Sequence, residues 1–228
     1  MSNPTKTPVP EVPEPQRVPI RNESDAETEA WMLETIEGVE GLLAWRVQAL
    51  AHFYQDTGQQ PKAFASLEML ASLHTRDVRA EALLALGQLS EQLDEYARAA
   101  EYYERGLAEE PAKDEVDYFL NNNLGYSLNK QGFHERAATH CRTAIGLDPE
   151  RHNAHKNLGI ALEAQHHYPE AANAYRKAAE RCTRDSRARM HLEQLAKAHP
   201  DLHTTLPDLA ETLEALRKAE EALRAGDH

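Results

Sequence analysis

The sequence predicts an all-α protein, a right-handed α-solenoid of about four helix-turn-helix repeats with capping helices. Three observations predict it. Apolar residues recur at helical spacings from Trp31 through Ile36, Val39, Leu42 and Leu43, and no run downstream alternates as a strand would. The pairs Leu86-Gly87, Leu124-Gly125 and Leu158-Gly159 return at intervals of 38 and 34 residues. Each glycine is followed at a fixed distance by an alanine (Ala99, Ala137, Ala171), then by Tyr103, Cys141 and Tyr175, then by Gly106, Ala144 and Ala178, and the first two units close with Pro111 and Pro149.

Composition removes several classes. A formal charge of −13 repels nucleic-acid phosphates, so no nucleic-acid partner is expected. No apolar run is long enough for a membrane span, and no basic-then-apolar leader opens the chain, so a cytoplasmic protein is expected. Two cysteines, Cys141 and Cys182, are too few for a disulfide framework.

Six of the twelve prolines fall in residues 1–23, where no periodic pattern exists, so this segment reads as a disordered proline-rich tail. Its Pro10-Glu11-Val12-Pro13 has the form that aromatic grooves recognise. Ser24-Asp25-Ala26-Glu27 reads as a capping box, starting a capping helix over residues 24–43. A degenerate unit follows at 44–77, carried by Val47, Leu50, Ala51, Tyr54, Gly58, Ala63, Leu67 and Leu70 and lacking the closing proline. Clear units occupy 80–113, 118–151 and 152–185. The spacing difference places a four-residue insertion, read as a loop, at about 113–117. The remainder, 186–228, reads as a C-terminal capping helix plus an amphipathic helix. In the first, Arg187, Arg189, Glu193 and Lys197 are expected on an exposed outer side, and Pro200 ends it. The second is expected over 206–225 with Thr205 as N-cap. Its Leu206, Leu209, Leu213, Leu216 and Leu223 make a short seam, interrupted at Glu220, that either packs back on the solenoid or self-associates.

A small residue at Gly87, Gly125 or Gly159 lets two antiparallel helices approach closely, with the alanine opposite completing the contact. One helix pair leaves an apolar face that only a stacked neighbour buries. The pattern of paired small residues, aromatic and closing proline resembles the tetratricopeptide repeat family over about 140 residues. The resemblance implies a protein-interaction scaffold holding a peptide or helix of a partner in a concave groove lined by the first helix of each unit. Carried over by register, the groove comprises Trp45, Gln48 and His52; Leu84, Gln88 and Glu91; Phe119, Asn122, Asn123, Tyr126, Asn129 and Lys130; and Asn153, Lys156, Asn157, Ile160 and Glu163. The asparagines offer donors and acceptors to an extended backbone, although Asn123 and Asn157 also suit bonds within the scaffold. The two-carboxylate clamp of cochaperone members is not carried over, because Leu84 and Asn157 stand where its lysine and arginine would be. Residues 80–111 hold eight acids against Arg98 and Arg105, so a basic partner segment is expected to be steered there.

Catalytic chemistry finds little support. His152 and His155 have metal-ligand spacing without a third ligand, and His166 and His167 fall in a turn. Cys141 sits at a buried position, where a thiol is inert. No phosphate-cradling loop or nucleophile elbow occurs. No enzyme activity, catalytic residue, cofactor or metal is expected. The alternatives are a homo-oligomer assembled through its terminal helices and, more remotely, a His-based metal enzyme.

Overall fold

The computed structural model describes the backbone of residues 25–226, with the side chains of residues 35 and 38–225; the proline-rich tail lies outside the described residues. The chain divides after Gly38 into two units, and of the first the described part is helical from Asp25. Val39–His228 is the helical stack.

Eleven helices run through the described residues. α1 (Asp25–Asp56) and α2 (Gln60–Leu70) come first, then the pairs α3 (Arg76–Gln92) with α4 (Tyr96–Ala108), α5 (Asp114–Lys130) with α6 (His134–Leu147), and α7 (His152–Ala164) with α8 (Tyr168–Arg181). α9 (Arg187–Ala198), the one-turn α10 (Leu202–Thr205) and α11 (Leu209–Gly226) finish it. Two expectations about helix ends change. The capping helix and the first helix of the degenerate unit are one continuous α1, with no turn at residue 43. Thr205 is the last residue of α10 rather than an N-cap, because Pro207 interrupts the expected helix and α11 starts two residues later, its Thr212 amide donating to the Asp208 carbonyl at 2.9 Å.

Within each pair the close approach is made over glycine, as expected; its nearest partner is the aromatic position, and at Gly125 the Ala137 carbonyl completes the contact at 3.2 Å. A Cβ on Gly125 would stand 2.6 Å from Cys141 Sγ and one on Gly159 2.5 Å from the Tyr175 ring, while one on Gly87 would collide with the Tyr103 ring. Tyr103, Cys141 and Tyr175 are fully buried on these glycines. The turn between the paired helices is also repeated. Gly58, Asp94, Gly132 and His166 all have positive φ, and the following amide closes on the helix behind it, as in Phe133 N to Leu128 O and His167 N to Leu162 O, both 2.9 Å. That is a Schellman turn, which needs one left-handed residue, and only two of the four are glycine. His166 is therefore the turn's left-handed residue, its Nδ1 2.7 Å from the Tyr168 hydroxyl.

The four-residue insertion is helical, not a loop. α5 has 17 residues against 13 in α7, and the excess is a first turn carrying Asp114, Glu115 and Asp117, where acids suit the positive end of the helix dipole.

Neighbouring pairs are tied by polar contacts about one repeat apart. The Glu40 carboxylate accepts from the His74 and Thr75 amides, and Asp77 accepts from the Ala112 amide at 3.0 Å. Ion pairs join Lys113 to Glu81, Arg136 to Glu104 and Arg151 to Glu115 across neighbouring pairs, while Arg79 to Glu109 ties α3 to the end of α4 within one pair.

The C-terminal helix packs back on the stack. Leu209 and Leu213 enter the core with Tyr175, Leu192 and Leu195, and Leu216 packs with Ala178, Ala179 and Ala188. Glu220, which breaks the leucine seam, is buried and accepts two hydrogen bonds from the Arg189 guanidinium at 2.7 and 2.9 Å. Arg189 also reaches Glu193, which Arg217 bonds from α11. So Arg189 and Glu193 are not on an exposed face, as the cap reading held; they dock α11.

Gly159→Ala is expected to destabilise the fold by about 1–3 kcal/mol through overpacking against Tyr175. Gly146→Ala, where nothing stands within 4 Å, is expected to stabilise it by about 0.5 kcal/mol through helix propensity. Urea unfolding of the two variants checks the opposite signs. Glu220→Ala removes two hydrogen bonds of the Arg189 guanidinium, leaving it Glu193, and is expected to cost about 1–3 kcal/mol, with hydrogen exchange accelerated first in α11.

Candidate functional site

Two cavities form along the first helices of the pairs, and each takes in some of the residues expected in the groove. The first, of about 220 Å³, lies between α1 and α3 and takes in Gln48, His52, Leu84 and Gln88, with Gln55 and Glu81 beside them. Trp45 does not line it; it is 66% exposed, on the same side of α1 as His52 but about two turns earlier.

The second cavity, about 340 Å³, lies between α5, α7 and α9. It gathers Tyr126, Asn129, Lys130, Lys156, Asn157 and Ile160, and adds Arg187 and His191 from α9. The α9 residues were missed because α9 departs from the repeat pattern and reads as a solvating cap. Their signal was positional, since α9 occupies the place of a further first helix.

Three cations surround this cavity. Lys130 Nζ stands 5.5 Å from the ring centres of both Tyr96 and Tyr126, a cation–π arrangement that leaves its charge available. Lys156 is buried, and burial pushes its pKa down from the ordinary lysine value. Its nearest anion is Asp185 at 3.9 Å, and Asn153 Oδ1 accepts from it at a long 3.5 Å. Arg187 grips Asp185 with two nitrogens at 2.7 Å, which holds that carboxyl far below the usual range. His191 lies flat on Tyr175, ring centres 5.1 Å apart, and burial lowers its pKa, so it stays neutral near pH 7.

The asparagines divide by role. Asn157 Nδ2 donates to Asn122 Oδ1 at 3.1 Å, Asn122 Nδ2 donates to Asn123 Oδ1 at 2.9 Å, and Asn129 Nδ2 donates to the Asn157 carbonyl at 2.9 Å. This chain of amides crosses from α5 to α7, so Asn122 and Asn123 serve the scaffold. Asn157, 3% exposed, keeps its Oδ1 buried without a hydrogen bond from any described residue. A buried acceptor left bare in a protein costs about 1–3 kcal/mol, which a donor brought by a ligand would recover.

Other expected groove residues lie elsewhere. Phe119 packs with Tyr118, Ala144 and Ala154 under the Arg151 guanidinium, 4.7 Å from its ring centre. Glu91 accepts from the Ser127 hydroxyl and Glu163 from the Tyr175 phenol, both at 2.7 Å. Half of the second unit's eight acids are paired: Glu81, Glu104 and Glu109 with Lys113, Arg136 and Arg79, which lie outside 80–111, and Glu95 with Arg98 within it. A charge count along the sequence misses such pairing between repeats.

The histidine pair is split by its contacts. His155 is buried and its Nε2–H donates to the Pro149 carbonyl at 2.9 Å, while His152 Nε2 faces Asp185 at 3.3 Å. Among the described residues no three of histidine, cysteine, aspartate and glutamate stand close enough to hold a metal. Burial raises the Cys141 thiol to about 12. No helix among the described residues is long and apolar enough to cross a membrane.

Comparison with known proteins adds to this geometry. A tetratricopeptide repeat family model matches residues 82–115, the second unit. No curated protein matches the chain. Among solved structures, MamA (residues 41 to the end) from Desulfovibrio magneticus RS-1 is similar with a TM-score of 0.61 and 19% identity, over 78% of this chain and 97% of that one. MamA of AMB-1 gives 0.56 and 16%, over 78% and 93%. The Arabidopsis OM64 TPR domain gives 0.50 and 19%, over 54% of this chain and 98% of its own. Identities this low speak to the fold, and the matched unit names it: the chain holds a tetratricopeptide repeat at residues 82–115 and has the fold of tetratricopeptide-repeat solenoids.

Proposed function

We propose that the protein is an interaction scaffold without catalytic activity of its own, and that it holds an extended, acidic segment of a partner protein along its first helices, anchored in the cavity between α5, α7 and α9. One observation carries the reading: that cavity combines Lys130, Lys156 and Arg187 with an unpaired buried acceptor on Asn157 and apolar contact from Tyr126 and Ile160. Cations select carboxylates, the amide oxygen takes a backbone N–H, and Ile160 takes a neighbouring apolar side chain. Four of the second unit's eight acids, Glu81, Glu95, Glu104 and Glu109, are paired with cations, which reduces the pull on a basic segment there. The cavity between α1 and α3, with Gln48, His52 and Gln88, extends the same line of first helices and suits a more polar stretch of the segment.

Fluorescence anisotropy with labelled decapeptides of acidic, neutral and basic composition tests the reading. The acidic peptides are expected to bind best, with affinity falling as salt rises. Lys156→Met with Arg187→Gln is expected to weaken that binding by at least about tenfold, the loss of roughly 1.4 kcal/mol. Equal affinity across the three compositions would overturn the reading.

Lys156→Met alone is expected to raise stability by about 1 kcal/mol, because the charged ammonium is disfavoured in its buried place. The sign with pH follows. The folded pKa lies below the unfolded one, so between them the unfolded chain binds more protons and wild-type stability rises with pH. The Met variant is expected to lack that rise in denaturant titrations at alkaline pH.

A further inference from the structure

α1 buries Ala44, Val47 and Ala51 against α2 and α3, and presents Gln48 and His52 to the first cavity. On its remaining side a second apolar stripe is exposed: Val39 at 62%, Leu42 at 63%, Leu43 at 40%, Leu50 at 43% and Phe53 at 55%. At about 100° per residue they all fall within an arc of roughly 100° on one face, with Arg46 among them. Together they expose on the order of 500 Å², at the upper end of what a monomer leaves contiguous and a large part of the ~800 Å² that each partner of a stable complex buries.

The two ends of the stack differ. The C-terminal end is closed by α11, whose leucines and Glu220 turn inward while Glu211, Glu214, Arg217, Lys218 and Glu221 face out. A head-to-tail array needs two complementary ends, and this stack has one apolar end and one polar end. An apolar end that meets its like closes a two-fold pair and stops. Charge permits it: residues 39–56 carry Glu40, Asp56 and Arg46 in a chain of net charge −13, and Glu40 is already bonded to the His74 and Thr75 amides. This stretch carries a net charge of only −1, so two copies meet there with little repulsion.

We propose that the exposed face of α1, formed by Val39, Leu42, Leu43, Leu50 and Phe53, is a homodimer interface that takes the same face of a second copy of this chain. The pair leaves the cavity between α5, α7 and α9 free, so a dimer presents two copies of it and binds a repeated partner with gain from effective concentration. Arg46 sits within the interface and reaches past its apolar neighbours to solvent at the rim.

Sedimentation equilibrium of the full-length chain over a roughly hundredfold concentration range tests this directly. Twice the chain mass is expected, with Leu42→Asp/Phe53→Asp reduced to chain mass and the dimer weakened at least about tenfold by Leu50→Glu alone. Both substitutions are on exposed positions, so helicity by circular dichroism and anisotropy with an acidic peptide are expected to match the wild type, which separates loss of pairing from loss of fold. Glu221→Lys on the outward face of α11 is expected to leave the dimer intact. A monomeric wild type, a mass beyond the dimer, or a dimer that survives the double substitution while Glu221→Lys breaks it would each overturn the proposal.

Discussion

How near two antiparallel helices come is set in this protein by a glycine beneath a large or polarisable side chain. Gly87 under Tyr103, Gly125 under Cys141 and Gly159 under Tyr175 leave no room for a Cβ, so each pair has one depth of approach. That depth fixes where the first helix of a pair meets the next, which in turn fixes the cavities along those helices. The Tyr103 and Tyr175 rings fill the gap over Gly87 and Gly159, and the smaller Cys141 lets α6 sit against α5 through sulfur and the Ala137 carbonyl. The core that results is rich in alanine and leucine, and it is continuous only because each pair covers its neighbour.

Polar contacts spaced by about one repeat hold that stacking in register. A carboxylate on one first helix binds amides just before the next, as Glu40 and Asp77 do, and Arg136 and Arg151 bridge adjacent pairs. Exposed ion pairs of this kind contribute little each, and their value lies in fixing orientation. The exception is Arg189 with Glu220, which is buried and sits where the leucine seam of α11 breaks. A seam read alone suggests self-association, whereas Glu220 in place of a leucine identifies α9 as its partner. The polar residue selects one docking among several that leucines alone would allow.

Much of this was legible in the sequence. The glycine–aromatic spacing gave the paired helices, because close packing demands small residues at fixed intervals whatever else varies. Helix ends were less legible. Asp94 and His166 adopt the left-handed turn that Gly58 and Gly132 mark openly, and the extra first turn of α5 looks like a loop when only the leucine spacing is compared. In the candidate site, Tyr126, Asn129, Lys130, Lys156, Asn157 and Ile160 were placed together by register alone. Arg187 and His191 were not, since a helix that departs from the repeat still lies where the next repeat would. Asn122 and Asn123 could not be separated from Asn157 by sequence, because all three are asparagines on first helices and only the hydrogen-bond chain shows which one ends in a bare oxygen.

The central claim is that the bare amide oxygen and its ring of cations form the anchoring point for a bound chain. Side-chain amide resonances of Asn129 and Asn157, followed by two-dimensional nuclear magnetic resonance during titration with an acidic peptide, test it most directly. The account predicts that these two side chains shift together with the Ile160 backbone amide and saturate at one affinity. Saturable shifts confined to α1 or α11, with the Asn129 and Asn157 amides unmoved, would contradict it.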